Sequence, residues 1–163
     1  MAGFETTRRS TRRQALAAGA AGVLAGATGW GRGAAAAGPL QVVTTIAQIA
    51  DTARRLGGDR LEVRSLMGEG VDPHTYRQTR SDIATLRRAD LVLWNGLYLE
   101  AQMEDLLRDL GRERPVVPLA ERLPPELLLG HPAYPGKFDP HVWMDVSLWR
   151  RVGEIARDVL SEV

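Results

Sequence analysis

LQVVTTIAQIADTARRLGGDRLEVRSL, running from Leu40 to Leu66, decides the fold. Its first part, Leu40 to Thr45, is a short β-branched run and reads as a strand. From Ile46 to Leu56 the apolar residues Ile46, Ile49, Ala50, Ala53 and Leu56 recur at helical spacing. Gly57-Gly58 ends that helix, and Leu61 to Leu66 alternates as a second strand. Two strands joined by a helix form a parallel pair, because only a crossover returns the chain in the same direction.

The rhythm continues outward from this unit. Ser81 to Arg88 reads as a short helix, Ala89 to Trp94 as a third strand ending at Asn95-Gly96, and Glu100 to Leu110 as a helix through Met103, Leu106, Leu107 and Leu110. Arg114 to Pro118 is a short fourth strand, and Leu119 to Phe138 is Pro-rich and irregular. From Ser147 an apolar stripe of Leu148, Val152, Ile155 and Val159 predicts a helix that runs to Val163, with Asp145 or Ser147 as its N-cap. The expected fold is α/β, a parallel four-stranded sheet flanked by helices and followed by the start of a long helix. In such sheets ligands bind beyond the carboxyl ends of the strands, where the loop after the second strand carries His74.

Composition narrows the function. The 163 residues suffice for one domain with a real core. Before Pro39 stand five arginines and one acid, whereas from Pro39 onward sixteen basic and nineteen acidic residues leave a net of minus three. A nucleic-acid binder carries positive charge on its folded body, so no nucleic-acid partner is expected. With no cysteine, disulfides, thiolate metal sites and cysteine nucleophiles are excluded, and any metal must be held by N and O donors. Neither a phosphate-binding glycine loop nor a Gly-x-Ser-x-Gly elbow occurs.

Residues 1–38 read as an export signal: Arg8-Arg9 and Arg12-Arg13, an Ala/Gly-rich run from Ala15 to Trp30, then Ala34 to Ala37. Thr11-Arg-Arg-Gln-Ala-Leu16 is similar to a twin-arginine signal. The apolar run is shorter than the roughly twenty residues that span a bilayer. Cleavage is expected near Ala37, leaving an unlipidated chain in a periplasm-like space.

One tripeptide occurs twice, Asp72-Pro73-His74 and Asp139-Pro140-His141. With ten aspartates, nine prolines and three histidines, chance supplies on the order of 0.01 copies. Proline fixes its own φ and pushes the preceding residue toward an extended conformation, so the following imidazole is held stiffly. A stiff imidazole with a carboxylate beside it suits a metal ligand, since a neighbouring oxygen fixes the ring's tautomer. The alternative is that each Asp only starts a turn and each His fills a crevice. The third histidine, His131, lies beside Pro132 and reads as a surface residue.

Several stretches then match in order and spacing: Gly70-Val-Asp-Pro-His-Thr-Tyr76, Ser81-Asp82-Ile83, Ala89-Asp90-Leu91, Trp94-Asn95-Gly96-Leu97, Leu99-Glu100 and Asp139-Pro-His-Val-Trp-Met-Asp145. Over residues 40–163 the chain resembles the zinc and manganese solute-binding proteins of bacterial ABC importers. The resemblance implies two α/β lobes bridged by a long helix, a metal ion held between them, and delivery to a membrane permease. It makes His74 and His141 metal ligands, with Mn2+ or Zn2+ as the transported ion. It also makes residues 39–138 the N-terminal lobe and residues 139–163 the second motif and the start of the bridging helix. The second lobe, which brings the other two ligands, is absent from the sequence and is expected on the same reading frame or on a partner chain. Asp72, Asp139 and Glu69 are expected to support the site rather than ligate, and Tyr76 and Trp143 to pack beneath the loops. The short segment between the motifs, without a His-rich insertion, tilts the resemblance toward manganese or a broad Mn/Zn protein.

Two rival readings remain on the residues alone. An extracytoplasmic zinc-dependent hydrolase would use His74 and His141 with Glu69 or Asp145 as general base, although no His-Glu-x-x-His cluster is present. A metal-independent adhesin or interaction lobe would use the tripeptides as turns alone. The expectation is a transport protein and no enzyme.

Overall fold

The structure, a computed structural model, describes residues 38–163. Apart from Gly38, the expected export signal lies outside the described residues. Four strands, β1 (Leu40–Thr44), β2 (Leu61–Ser65), β3 (Leu91–Trp94) and β4 (Val116–Pro118), alternate with helices α1 (Ala47–Gly57), α2 (Arg80–Arg88) and α3 (Glu104–Leu110). A longer helix, α4, covers Val146–Ser161. The strands form one sheet in the order β2-β1-β3-β4, and every pairing is parallel. This is the expected architecture. Val42 pairs with Val63 on one side and Leu91 on the other, and Leu93 pairs with Val117.

Burial follows strand position. All four residues of the inner strand β3 are buried, whereas edge strand β2 alternates, turning Glu62 and Arg64 to solvent. Burying each large apolar side chain of β3 contributes up to about 1.5–3 kcal/mol. Ile49 and Ala53 of α1, Leu86 of α2 and Leu107 of α3 join the same core. Helix α4 buries Val152, Ala156 and Val159 and packs on α1.

The end of α1 and the start of α4 carry the expected signals, and α2 adds one that was not expected. Gly58, at φ 54°, caps α1 in a conformation that costs a side-chain-bearing residue about 1–2 kcal/mol. Thr79 and Asp82 form a reciprocal capping box on α2, and Asp145, the first of the two expected caps, receives the Ser147 and Leu148 N–H groups of α4.

The third helix differs from expectation. It begins at Glu104 rather than Glu100, because Gly96, Leu97 and Tyr98 all have positive φ (78°, 54° and 69°) and wind the chain the other way. The Glu100 side chain is then drawn inward beneath the sheet ends instead of starting a helix, and it is 1% exposed. The segment from Leu119 to Phe138 is irregular, as expected, with 3-10 turns at Ala120–Arg122 and Pro125–Leu127 and one antiparallel bridge between Gly130 and Phe138. Among the described residues no helix is long and apolar enough to cross a membrane.

Candidate metal centre

Each Asp-Pro-His folds into the same small turn. Asp72 Oδ1 accepts the backbone N–H of His74 at 3.0 Å, and Asp139 Oδ1 accepts that of His141 at 3.0 Å. Those N–H groups are the chief reason that both carboxyls are held below the ordinary carboxylate range. The turn-forming role of aspartate and the stiff presentation of histidine are therefore one device.

The two turns, 67 residues apart in sequence, bring their imidazoles together: His74 Nε2 and His141 Nε2 are 3.1 Å apart. The ring centroids are separated by 5.2 Å at an interplanar angle of 47°. Asp139 Oδ1 also lies 2.6 Å from His141 Nδ1. That contact assigns the proton to Nδ1 and turns the Nε2 lone pair toward His74. Two nitrogens bound to one ion at about 2.0–2.1 Å stand about 2.9–3.4 Å apart, so the observed separation fits donors to a single metal. The edge of Trp143 meets the His141 ring at 5.3 Å, as the expected packing role requires.

The pair is accessible, with 40% of the His141 side chain exposed. Beside it runs a groove lined by Leu127, Leu129, Met144 and Leu148 together with Asp139 and His141. Among the described residues no group of three or more His, Asp and Glu side chains is placed to hold a metal ion. Two imidazoles could supply at most half of the four or more donors that a divalent first-row ion takes.

Support for the His74 loop comes from Tyr76, whose hydroxyl donates to Asp82 Oδ2 at 2.7 Å. Asp82 Oδ2 also accepts the Thr79 N–H and hydroxyl at 2.7 Å each, so Tyr76 is tied to the start of α2 as well as packed. Burial first, and the Asp82 carboxylate second, push the Tyr76 phenol up to about 12.

A second network lies below His141. The strand order reverses between β1 and β3, where parallel sheets of this kind usually leave a ligand crevice. Here Glu100 fills that place. Its Oε1 accepts the Thr45 hydroxyl at 2.6 Å and the Asn95 N–H at 2.8 Å, and its Oε2 accepts the Gly96 N–H at 3.1 Å. Burial pushes the Glu100 carboxyl up to about 7 although these three donors pull the other way. The Asn95 amide nitrogen in turn donates to the Pro140 carbonyl at 3.0 Å.

Asn95, Glu100 and Asp82 carry no role in the sequence reading beyond membership of matching stretches. The available signal was an Asn-Gly turn directly after a buried strand, followed four residues later by an acid among apolar residues. His131 is partly exposed at the surface, as expected, and its Nδ1 accepts the N–H groups of Ala133 and Tyr134, which holds its own turn together. Of the two alternative general bases in the hydrolase reading, Asp145 is occupied as the cap of α4 and Glu69 stands exposed on the loop before His74.

A four-stranded parallel lobe with flanking helices and loops at its strand ends is the architecture of solute-binding proteins of metal importers. The family described as zinc-uptake complex component A, periplasmic (ZnuA), matches residues 42–163, and the chain belongs to it. It is 48% identical over 111 residues to the manganese-binding lipoprotein MntA of Bacillus subtilis, covering 68% of this chain and 36% of that protein. It is 44% identical over 116 residues to the zinc-binding protein TroA of Treponema pallidum, covering 71% and 37%. The solved structure of periplasmic zinc-binding TroA superposes with a TM-score of 0.73 at 39% identity, over 77% of this chain and 44% of that one. The chain thus spans about a third of the length of these curated relatives. Several relatives are lipoproteins, so the comparison lends no support to the expectation of an unlipidated chain.

Proposed function

We propose that this chain is the N-terminal part of an extracytoplasmic solute-binding protein that captures Mn2+ or Zn2+ and hands it to the membrane permease of an ABC importer. His74 and His141 supply two of the ligands, and the remaining donors come from a second lobe joined through the helix that begins with α4. Residues 39–138 form the lobe, residues 139–163 the second motif and the start of that helix, and residues 1–38 direct export, with cleavage near Ala37. The role is carriage and not catalysis: the relatives are named as binding proteins, and Asp145, one of the two candidate bases, is spent as the cap of α4.

The observation that carries this reading is the 3.1 Å separation of the two Nε2 atoms. Exposed Leu129 and Met144 beside the pair agree with a surface that another lobe covers. The relatives' names cover manganese, zinc and iron, with manganese and zinc on the two relatives described above. Imidazole donors favour zinc by intrinsic affinity, while the short segment between the motifs favours a manganese or broad Mn/Zn role.

Calorimetric titration of the chain with Zn2+ and Mn2+ tests the ligand assignment. The wild type should bind with the modest affinity of a two-imidazole site, and His74→Ala and His141→Ala should each lose the binding. Unchanged affinity in both variants would overturn the assignment.

A further inference from the structure

His141 sits at the centre of a tight turn, with φ −81° and ψ 43°, in which the Val142 N–H returns to the Pro140 carbonyl at 2.9 Å. That turn aims the imidazole but does not by itself tie the segment to the sheet. Pro140 has no N–H, so its carbonyl is the one backbone group through which the residue before His141 can be anchored. Asn95, 45 residues earlier in sequence, supplies the anchor.

Asn95 is 1% exposed at the carboxyl end of β3. Its amide nitrogen donates to two carbonyls, Gly96 O at 3.0 Å and Pro140 O at 3.0 Å, while its Oδ1 has no partner among the described residues. An asparagine that leaves its acceptor unsatisfied in the interior is retained for its two donors. The residue is itself held at the backbone, because its N–H and that of Gly96 both end on the Glu100 carboxylate, which Thr45 fixes from the end of β1. A continuous path of hydrogen bonds therefore runs from the two inner strands through Glu100 and Asn95 to the peptide that carries His141.

Resting on the reading of the paired imidazoles as metal ligands, we infer that Asn95, clamped by Glu100, is a positioning residue for His141. Its amide holds the Pro140–His141 peptide so that His141 Nε2 faces His74 Nε2 across the span of one ion. Groups that orient a ligating histidine from behind typically change metal affinity 10–100-fold when removed. Asn95 acts here on the backbone of the ligand, whereas Asp139 acts on its ring.

The test is a Zn2+ titration of the 163-residue chain followed by long-range 1H–15N spectra that resolve the two imidazoles. Wild type, Asn95→Ala and Thr44→Val are compared. Thr44 is buried and its hydroxyl donates to the Ile46 carbonyl, outside the path through Glu100 and Asn95, so Thr44→Val is the control for general loosening. In the wild type both Nε2 signals should shift together. Asn95→Ala should weaken binding by about tenfold or more and uncouple the two shifts, while Thr44→Val stays within about threefold of wild type. Equal affinity and parallel shifts in Asn95→Ala would overturn the inference, and so would an equal loss in Thr44→Val. A wild type in which Zn2+ moves neither ring would overturn the ligand reading, and the positioning role with it. Should Asn95→Ala fail to fold, the wild type decides: a scalar coupling across the hydrogen bond from Asn95 Nδ2 to the Pro140 carbonyl carbon is required, and its absence refutes the role.

Discussion

Replacing Gly96 by alanine probes the turn on which the site stands. Gly96 has φ 78°, and a Cβ placed there would lie 2.8 Å from Glu121 Cγ, 2.9 Å from Glu121 Oε1 and 2.9 Å from Pro118 Cβ. The left-handed backbone alone costs an alanine about 1–2 kcal/mol. The Glu121 side chain must also move, and its Oε1 accepts the Leu97 N–H at 3.2 Å and the Arg108 guanidinium at 2.8 Å. Losing the first contact costs about 1 kcal/mol, and the half-exposed ion pair at most about as much. Gly96→Ala should therefore destabilise the chain by about 2–4 kcal/mol in urea unfolding followed by the fluorescence of buried Trp94, at unchanged denaturant slope. Glu121→Ala clears two of the three close contacts, so the double variant should recover roughly 1 kcal/mol relative to the sum of the single ones. A Gly96→Ala variant within about 0.5 kcal/mol of wild type would refute both the backbone and the steric parts of this reasoning.

Two further expectations concern the support beneath the histidines. Burial raises the Glu100 carboxyl from its ordinary 4.5 to about 7, so the folded state binds the extra proton. That contribution is complete below pH 4.5, fades as pH rises through the interval and is gone above about 7, on the order of 3 kcal/mol in all. The stability difference between wild type and Glu100→Gln should shrink in that direction between pH 5 and pH 7.5, and a constant difference would count against the shift. Tyr76→Phe removes the hydrogen bond to Asp82 and should cost about 1 kcal/mol in the urea midpoint, whereas no change would mean that Tyr76 acts by packing alone.

Much of the fold was legible in the sequence because its signals are local. The β-branched run at Val42 and Val43, the helical spacing of Ile49 and Ala53 and the double glycine after Leu56 lie within a few residues of what they specify. The misplaced start of α3 shows where such signals end. Leu99, Met103 and Leu107 keep helical spacing, but Glu100 is claimed by the N–H groups beyond β3 and by Thr45, 55 residues away. The histidines were legible as a pair because the chain spells their turn twice. Their separation was not, since it depends on Asn95 meeting Pro140 across 45 residues, a contact that no short window contains.

The facing imidazoles also have a kinetic meaning. On the proposed reading, an ion that reaches the His141 Nε2 lone pair finds His74 Nε2 about one ion's span away, and neither loop has to travel. The proton that His74 Nε2 places in the ring-to-ring hydrogen bond must first pass to its own Nδ1 or to water. Capture is then paced by that proton and by the water the ion sheds, and not by a movement of the chain.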